Sequence, residues 1–226
     1  MLEQLEKAQM VGQLAASLSH EIRNPLAIVR GHLQFLGTTE EQAAKKAQYE
    51  LMIEQLDRVN TLLRDFLGVA KANLKQSQSI ALSSIISRLQ PLLASEAYLA
   101  GVNLKIVMEE VPKLLLHSDD IQQMLLNLYR NALEATRPGG TVTIRVSQTG
   151  NREPYLEISD TGCGMTPAVL AKLGTPFMTT KPDGTGLGLL QCFNIAESYQ
   201  AHLFFASEPG QGTRVIVRFP GAGVQE

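Results

Sequence analysis

N-L-Y-R-N-A-L-E-A, Asn127 to Ala135, places two asparagines in the middle of a run that otherwise reads as a helix over 118–136. Asparagine is a weak helix former, because its side chain competes for the backbone. At i and i+4, Asn127 and Asn131 put both amides on one face. Amide oxygens suit Mg²⁺ when phosphate oxygens complete its shell. The plain alternative is a pair of surface or cap residues. Glu134 extends the same face and either holds a metal-bound water or is simply solvated. Arg130 is placed to reach a phosphate or to close a surface ion pair.

Working outward, Pro138-Gly139-Gly140 marks a turn, and Thr141–Ser147 and Tyr155–Ser159 alternate as strands do. Asp160-Thr161-Gly162-Cys163-Gly164-Met165 follows directly. Its aspartate can accept a hydrogen bond from an adenine amino group, or close an Asx-turn at the strand end. Met165 packs on an adenine ring or on the core. Further on, Gly184-Thr185-Gly186-Leu187-Gly188-Leu189 runs into a helix over 189–199. Alternating glycines can turn backbone N–H groups toward an anion at a helix N-terminus, or form a flexible turn. Neither a P-loop nor a strand-led G-x-G-x-x-G is present.

A helix over 83–100, interrupted or restarted near Pro91, is expected, with strands at 102–108, 203–206 and 214–219. Gly210-Gln211-Gly212 is the turn between the last two. Helices mixed with adjacent strand pairs predict an α+β domain with a largely antiparallel sheet.

The first 75 residues differ. Leu14, Leu18, Ile22, Leu26, Val29, Leu33 and Leu36 step by three or four, as do Met52, Leu56, Val59, Leu63, Phe66 and Ala70. Gly37-Thr38-Thr39 is the expected C-cap and turn between the two helices. A helical hairpin buries only one stripe per helix, so a dimeric four-helix bundle is expected. Gln76-Ser77-Gln78-Ser79 reads as a linker, giving domains at 1–75 and 76–226.

Within the first helix stands S-H-E-I-R-N-P-L, Ser19 to Leu26. His20 lies about 200° of helical rotation from both Leu18 and Ile22, away from the apolar stripe. Glu21 can hydrogen-bond one imidazole nitrogen and raise the basicity of the other. Asn24 shares the face of His20, and Pro25 removes a helical hydrogen bond nearby. An exposed, oriented imidazole is a competent nucleophile at neutral pH. His32, His117 and His202 carry no such surroundings and receive no role.

Composition narrows the classes. The chain has 226 residues, 44% of them hydrophobic, and a net charge of −2, so bulk charge implies no polyanion and no nucleic-acid partner. Cys163 and Cys192 have no metal-like spacing and predict no disulfide. No apolar run is long enough to span a membrane. The expectation is a cytoplasmic chain, or the cytoplasmic part of a membrane-anchored sensor.

The S-H-E-I-R-N-P-L stretch resembles the H-box of two-component sensor histidine kinases. N-L-Y-R-N-A-L-E-A, D-T-G-C-G-M, T-P-F-M-T-T-K and G-T-G-L-G-L resemble, in family order, the N, G1, F and G2 boxes of their ATP-binding domain. The N-A-L-E-A form looks like the subgroup of nitrogen-regulation and sporulation kinases. The resemblance implies a helical hairpin forming a dimeric four-helix bundle, then an α/β sandwich ATP-binding domain of the gyrase/Hsp90/histidine-kinase type. By this likeness His20 is the phosphoacceptor, Glu21 assists proton removal, and Asn24 serves the reverse, phosphatase reaction. Asn131 is the chief Mg²⁺ ligand and Asn127 assists. Asp160 reads adenine, within a nucleotide site that takes in Gly162, Gly164 and Met165. The 184–188 loop (Gly184, Thr185, Gly186, Leu187, Gly188) cradles the phosphates, with Lys181 nearby, and Met165 to Gly184 form a mobile lid over ATP. The implied partners are a second copy of the chain and the receiver domain of a response regulator. One departure is Glu134, where many members carry lysine; Arg130 or Lys181 then supplies the phosphate contact. Two rival readings are a conformational ATPase of the gyrase or Hsp90 kind and a degenerate scaffold.

Overall fold

The computed structural model describes residues 26–39, 42–70, 77–175, 178–179 and 186–221. The chain divides into two compact units, Met1–Asn73 with Lys181–Leu187, and Leu74–Thr180 with Gly188–Glu226.

In the first unit, α1 covers residues 26–39 and α2 spans Ala43–Ala70. The Gly37-Thr38-Thr39 stretch is helical rather than the turn its composition suggests. Gly37 faces α2, where an added Cβ would meet the Tyr49 Cβ at 3.8 Å. The threonine hydroxyls take up backbone carbonyls instead: Thr38 Oγ1 donates to the Phe35 oxygen at 2.7 Å, and Thr39 Oγ1 to the Leu36 oxygen at 3.2 Å. A bidentate ion pair joins the helices, with Arg30 Nε 2.8 Å from Asp57 Oδ1 and Nη2 3.3 Å from Oδ2. Among the described side chains of this unit, Ile28, Val29, Leu36, Leu51, Met52 and Val59 are exposed, while Leu26, Leu33 and Leu56 are half-buried.

The second unit runs β1 (Gln78–Ile80), α3 (Leu82–Leu99), β2 (Asn103–Met108), β3 (Leu114–Leu116), α4 (Ser118–Ala135), β4 (Thr141–Gln148), β5 (Pro154–Asp160), α5 (Pro167–Leu170), α6 (Gly188–Ser198), β6 (His202–Glu208) and β7 (Gly212–Arg218). A five-stranded sheet has the order β2-β4-β5-β7-β6, with only β2 and β4 parallel, and β1 pairs with β3 in a separate antiparallel ribbon. Gln78 and Ser79 are thus strand residues, not linker, because their backbones pair with Leu116 and Leu115. Helix α3 passes through Pro91 unbroken. Proline removes the bond to the carbonyl four residues back, that of Ser87, and Ser87 and Pro91 both face solvent, where water can replace it.

One face of the sheet, with Val142, Ile144, Val146, Leu156, Ile158, Val215 and Val217, packs against α3, α4 and α6. α4 contributes Ile121, Met124, Leu125, Leu128, Tyr129 and Ala132 at helical spacing. The buried Tyr129 hydroxyl donates to the Leu93 carbonyl at 2.6 Å and so ties α4 to α3. Burial, with Glu96 adding to it, pushes this phenol up to about 12. No described helix is long and apolar enough to cross a membrane.

Candidate nucleotide site

Helix α4 measures out the site. Its Asn127, Asn131 and Ala135 follow at i, i+4 and i+8, a span of about 12 Å at 1.5 Å per residue. At the far end, Cys163 N–H donates to the Ala135 carbonyl at 3.1 Å. Gly162 sits against the same carbonyl, 2.4 Å from where its Cβ would be, so no side chain fits. The loop after β5 is therefore hooked onto the last turn of α4.

Asp160 closes β5 there, half-buried. Its Oδ1 accepts from Gly162 N–H at 2.8 Å and from Thr213 N–H at 3.2 Å. The Asx-turn alternative for this residue is thus present, and it engages one oxygen. Burial raises the Asp160 pKa above the usual carboxylate value, while the two N–H groups pull it back. Beneath it, Ser207 Oγ accepts from Met165 N–H at 2.8 Å and lies 2.9 Å from both the Gly212 carbonyl and Thr213 Oγ1. A groove of about 610 Å³, bordered by Asp160, Leu170, Phe205, Ser207 and Thr213, opens at this corner. Met165 is half-buried beside it.

At the near end, α4 meets α6. Asn127 Nδ2 donates to the Gly188 carbonyl at 3.2 Å and to Gln191 Oε1 at 3.1 Å. Gln123 Nε2 donates to the same Oε1 at 3.2 Å. Asn131 and Glu134 are exposed on the outer side of α4. Arg130 turns to α3, with Nη2 2.8 Å from Glu96 Oε1. Of its two readings, the ion pair is the one formed here. Gly186, with φ of +67°, precedes buried Leu187 and the start of α6.

Two family descriptions match. "Histidine kinase-, DNA gyrase B-, and HSP90-like ATPase" covers residues 116–223, and "His Kinase A (phospho-acceptor) domain" covers 10–74. Sporulation kinase A of Bacillus subtilis (strain 168) is 34% identical over 95% of this chain and 35% of its own length. Sporulation kinase B of the same organism is 36% identical over 95% of this chain and 51% of its own. The chain carries the two domains of a sensor histidine kinase core. A solved structure of full-length ShkA in complex with AMPPNP superposes at a TM-score of 0.81, 25% identical, over 93% of this chain and 46% of that one. The chain thus spans about half the length, or less, of these relatives.

In this histidine kinase chain, the fold draws Asp160, Gly162, Gly164 and Met165 into one corner and anchors Asn127 at the start of α6. His20, Glu21, Asn24, Lys181, Gly184 and Thr185 lie outside the described residues. The segment expected to be a lid contains a short helix, α5, capped by Thr166, whose Oγ1 accepts from Val169 N–H at 3.4 Å. After it, Gly174 packs on the Phe193 ring of α6, within 2.7 Å of where its Cβ would lie. Ser207, Thr213 and Gln191 escaped the sequence reading. The run S-E-P-G-Q-G-T, Ser207 to Thr213, offered a turn signal but nothing that tied it to Asp160.

The residues present suit a purine nucleotide. A half-buried carboxylate borders an open groove, and backbone approaches so close that a Cβ would collide surround it. An ATPase is what the family description names, and these residues fit ATP.

Proposed function

We propose that this chain is an ATP-dependent protein-histidine autokinase that phosphorylates His20 and hands the group to an aspartate on the receiver domain of a response regulator. The observation that carries the reading is Asp160. Its carboxylate is oriented by two backbone N–H groups at one end of α4, while the Asn127–Asn131 face begins two turns earlier. That length lets one nucleotide lay adenine at Asp160 and its phosphates near the start of α6.

Asp160 then accepts a hydrogen bond from the adenine amino group. Asn131 and Asn127 present amide oxygens to Mg²⁺, too few to hold it without the phosphates. Mg²⁺, when bound with them, supplies positive charge against the charge that builds on the transferring group. The 184–188 loop contributes backbone N–H groups at the head of α6, and Lys181 a further cation. The His20 imidazole forms its bond to the γ-phosphorus as the bond to the bridging oxygen breaks, and ADP leaves. Glu21 takes the proton from the other ring nitrogen. Asn24 serves the reverse reaction, removing phosphate from the receiver.

Residues 1–75 form the dimerisation and phosphotransfer domain, and 76–226 the catalytic domain. The exposed Ile28, Val29, Leu36, Leu51, Met52 and Val59 support a homodimer through the hairpin, because such apolar surface is rarely left to water. The chain works in the cytoplasm.

The test incubates the purified chain, beside His20→Gln, with Mg²⁺ and γ-labelled ATP. Protein-bound label that survives base, is lost in acid and is missing from His20→Gln is expected. Equal ATP hydrolysis in both proteins with no bound label would instead mark a conformational ATPase.

A further inference from the structure

Gln191 is a buried polar residue in a helix that otherwise buries Cys192, Ile195 and Ala196. It is 5% exposed. An amide placed there costs free energy unless its polar atoms are paired. Its Oε1 accepts two hydrogen bonds, from Gln123 at 3.2 Å and from Asn127 at 3.1 Å, which accounts for both lone pairs. The consequence falls on Asn127. That amide's donors all go to α6: Nδ2 donates to the Gly188 carbonyl and to Gln191, and the same side chain reaches the Cys192 sulfur. An amide fixed by both donors has no freedom to flip, and its Oδ1 stays beside the head of α6, 3.9 Å from where a Cβ on Gly188 would stand.

We propose that Gln191 is a positioning residue for the metal: it locks the Asn127 amide so that Oδ1, not Nδ2, is presented to Mg²⁺. This rests on the reading of Asn127 as a Mg²⁺ ligand given above. Because Gln191 and Gly188 both belong to the first turn of α6, the lock also couples the head of that helix to the metal ligand on α4. An aliphatic residue at 191 would fill the space equally well, but would leave the amide free to turn an N–H toward the cation.

The test measures AMPPNP affinity of the full chain by equilibrium dialysis, with and without Mg²⁺. It compares the wild type, Gln191→Met, Gln191→Glu, Asn127→Ala and the Asn127→Ala/Gln191→Met double variant. The quantity read is the factor by which Mg²⁺ tightens binding. Gln191→Met is expected to lose about tenfold of that factor, with metal-free affinity unchanged within about twofold, as when the group that orients a metal ligand is removed. Gln191→Glu keeps an oxygen acceptor of the same reach and should recover most of the loss. The double variant should match Asn127→Ala, since Gln191 acts through Asn127.

An unchanged magnesium factor in Gln191→Met, or a loss that is as large without metal, overturns the proposal. So does a double variant that is worse than Asn127→Ala by the whole Gln191→Met effect. A wild type whose binding ignores Mg²⁺ removes the metal reading itself, which is a different failure. One measurement needs no variant: by NMR, the Asn127 Nδ2 protons should exchange slowly with solvent before and after Mg²⁺ and AMPPNP are added. Fast exchange of both would overturn the lock even if Gln191→Met failed to fold.

Discussion

Gly212 lies against Asp160 so closely that a Cβ on it would stand 2.0 Å from the Asp160 carbonyl oxygen. Its φ of +87° is also one that side chains disfavour. Gly164 repeats the pattern, with φ of +64° and a Cβ position 1.9 Å from the Glu208 oxygen. The strand end, the loop after it and the β6–β7 turn thus close on one another through backbone alone. Gly212→Ala must move backbone rather than a flexible side-chain tip. It should cost about 3 kcal/mol or more in urea unfolding, from strain and steric displacement together. It should also weaken ATP binding, because Thr213 N–H no longer reaches Asp160. A stability change under about 0.5 kcal/mol, the size of an ordinary surface substitution, would contradict this geometry.

Asp160 sets a pH dependence. Its folded pKa lies above the usual aspartate value, chiefly through burial. A raised carboxyl pKa favours the folded state at low pH and loses that contribution as pH rises through the folded value. Nucleotide binding runs the other way, because the ionised carboxylate is the better acceptor for an adenine amino group. ATP affinity should be level near neutrality and fall on acidification, with a midpoint above that of an ordinary aspartate. Asp160→Asn should remove this step and weaken binding by about tenfold or more, the loss of a charge-assisted bond. Calorimetric titration across pH, in both proteins, reads both effects.

What the sequence conveyed and withheld follows the range of the forces. Helix α4 and strands β4 and β5 were legible because the periods of 3.6 and 2 are local. Strand β3 was not, since Leu114-Leu115-Leu116 is uniformly apolar, and only the fold exposes Leu115 at 68% while burying its neighbours. Strand β1 is Gln-Ser-Ile, which reads as linker until the backbone finds β3. Pro91 suggested a break, but that inference assumed a carbonyl with no solvent to turn to. The Asp160 and Asn127 motifs were visible as patterns. Their holders, Ser207, Thr213 and Gln191, were not, because each reaches its partner across more than forty positions of chain.

The two readings of Arg130 can be separated. Its guanidinium is engaged by Glu96 across the α3–α4 contact, with side-chain exposures of 51% and 23%. A pair this open is worth about 0–1 kcal/mol. Arg130→Ala should therefore lower stability by less than about 1 kcal/mol and change ATP affinity by less than about threefold. Glu96→Ala should have a similarly small effect on stability. A loss of ATP affinity above about tenfold in Arg130→Ala, with Glu96→Ala harmless, would mean that the arginine leaves Glu96 for a phosphate when nucleotide binds.

Tyr129 gives an alkaline limit. Its phenol is 0% exposed, donates to the Leu93 carbonyl and is pushed up to about 12. The unfolded chain would titrate it near 10, so above that pH the unfolded state loses this proton first. Stability held below pH 10 should then decline as pH rises toward 12, and Tyr199, also pushed up to about 12, adds to the slope. In Tyr129→Phe the hydroxyl is gone. That variant should be less stable at neutral pH by about 1 kcal/mol for the lost hydrogen bond, yet its stability should fall less steeply between pH 10 and 12. Urea melts at neutral and alkaline pH measure the difference. Parallel curves for the two proteins would mean that Tyr129 is not held protonated by the fold.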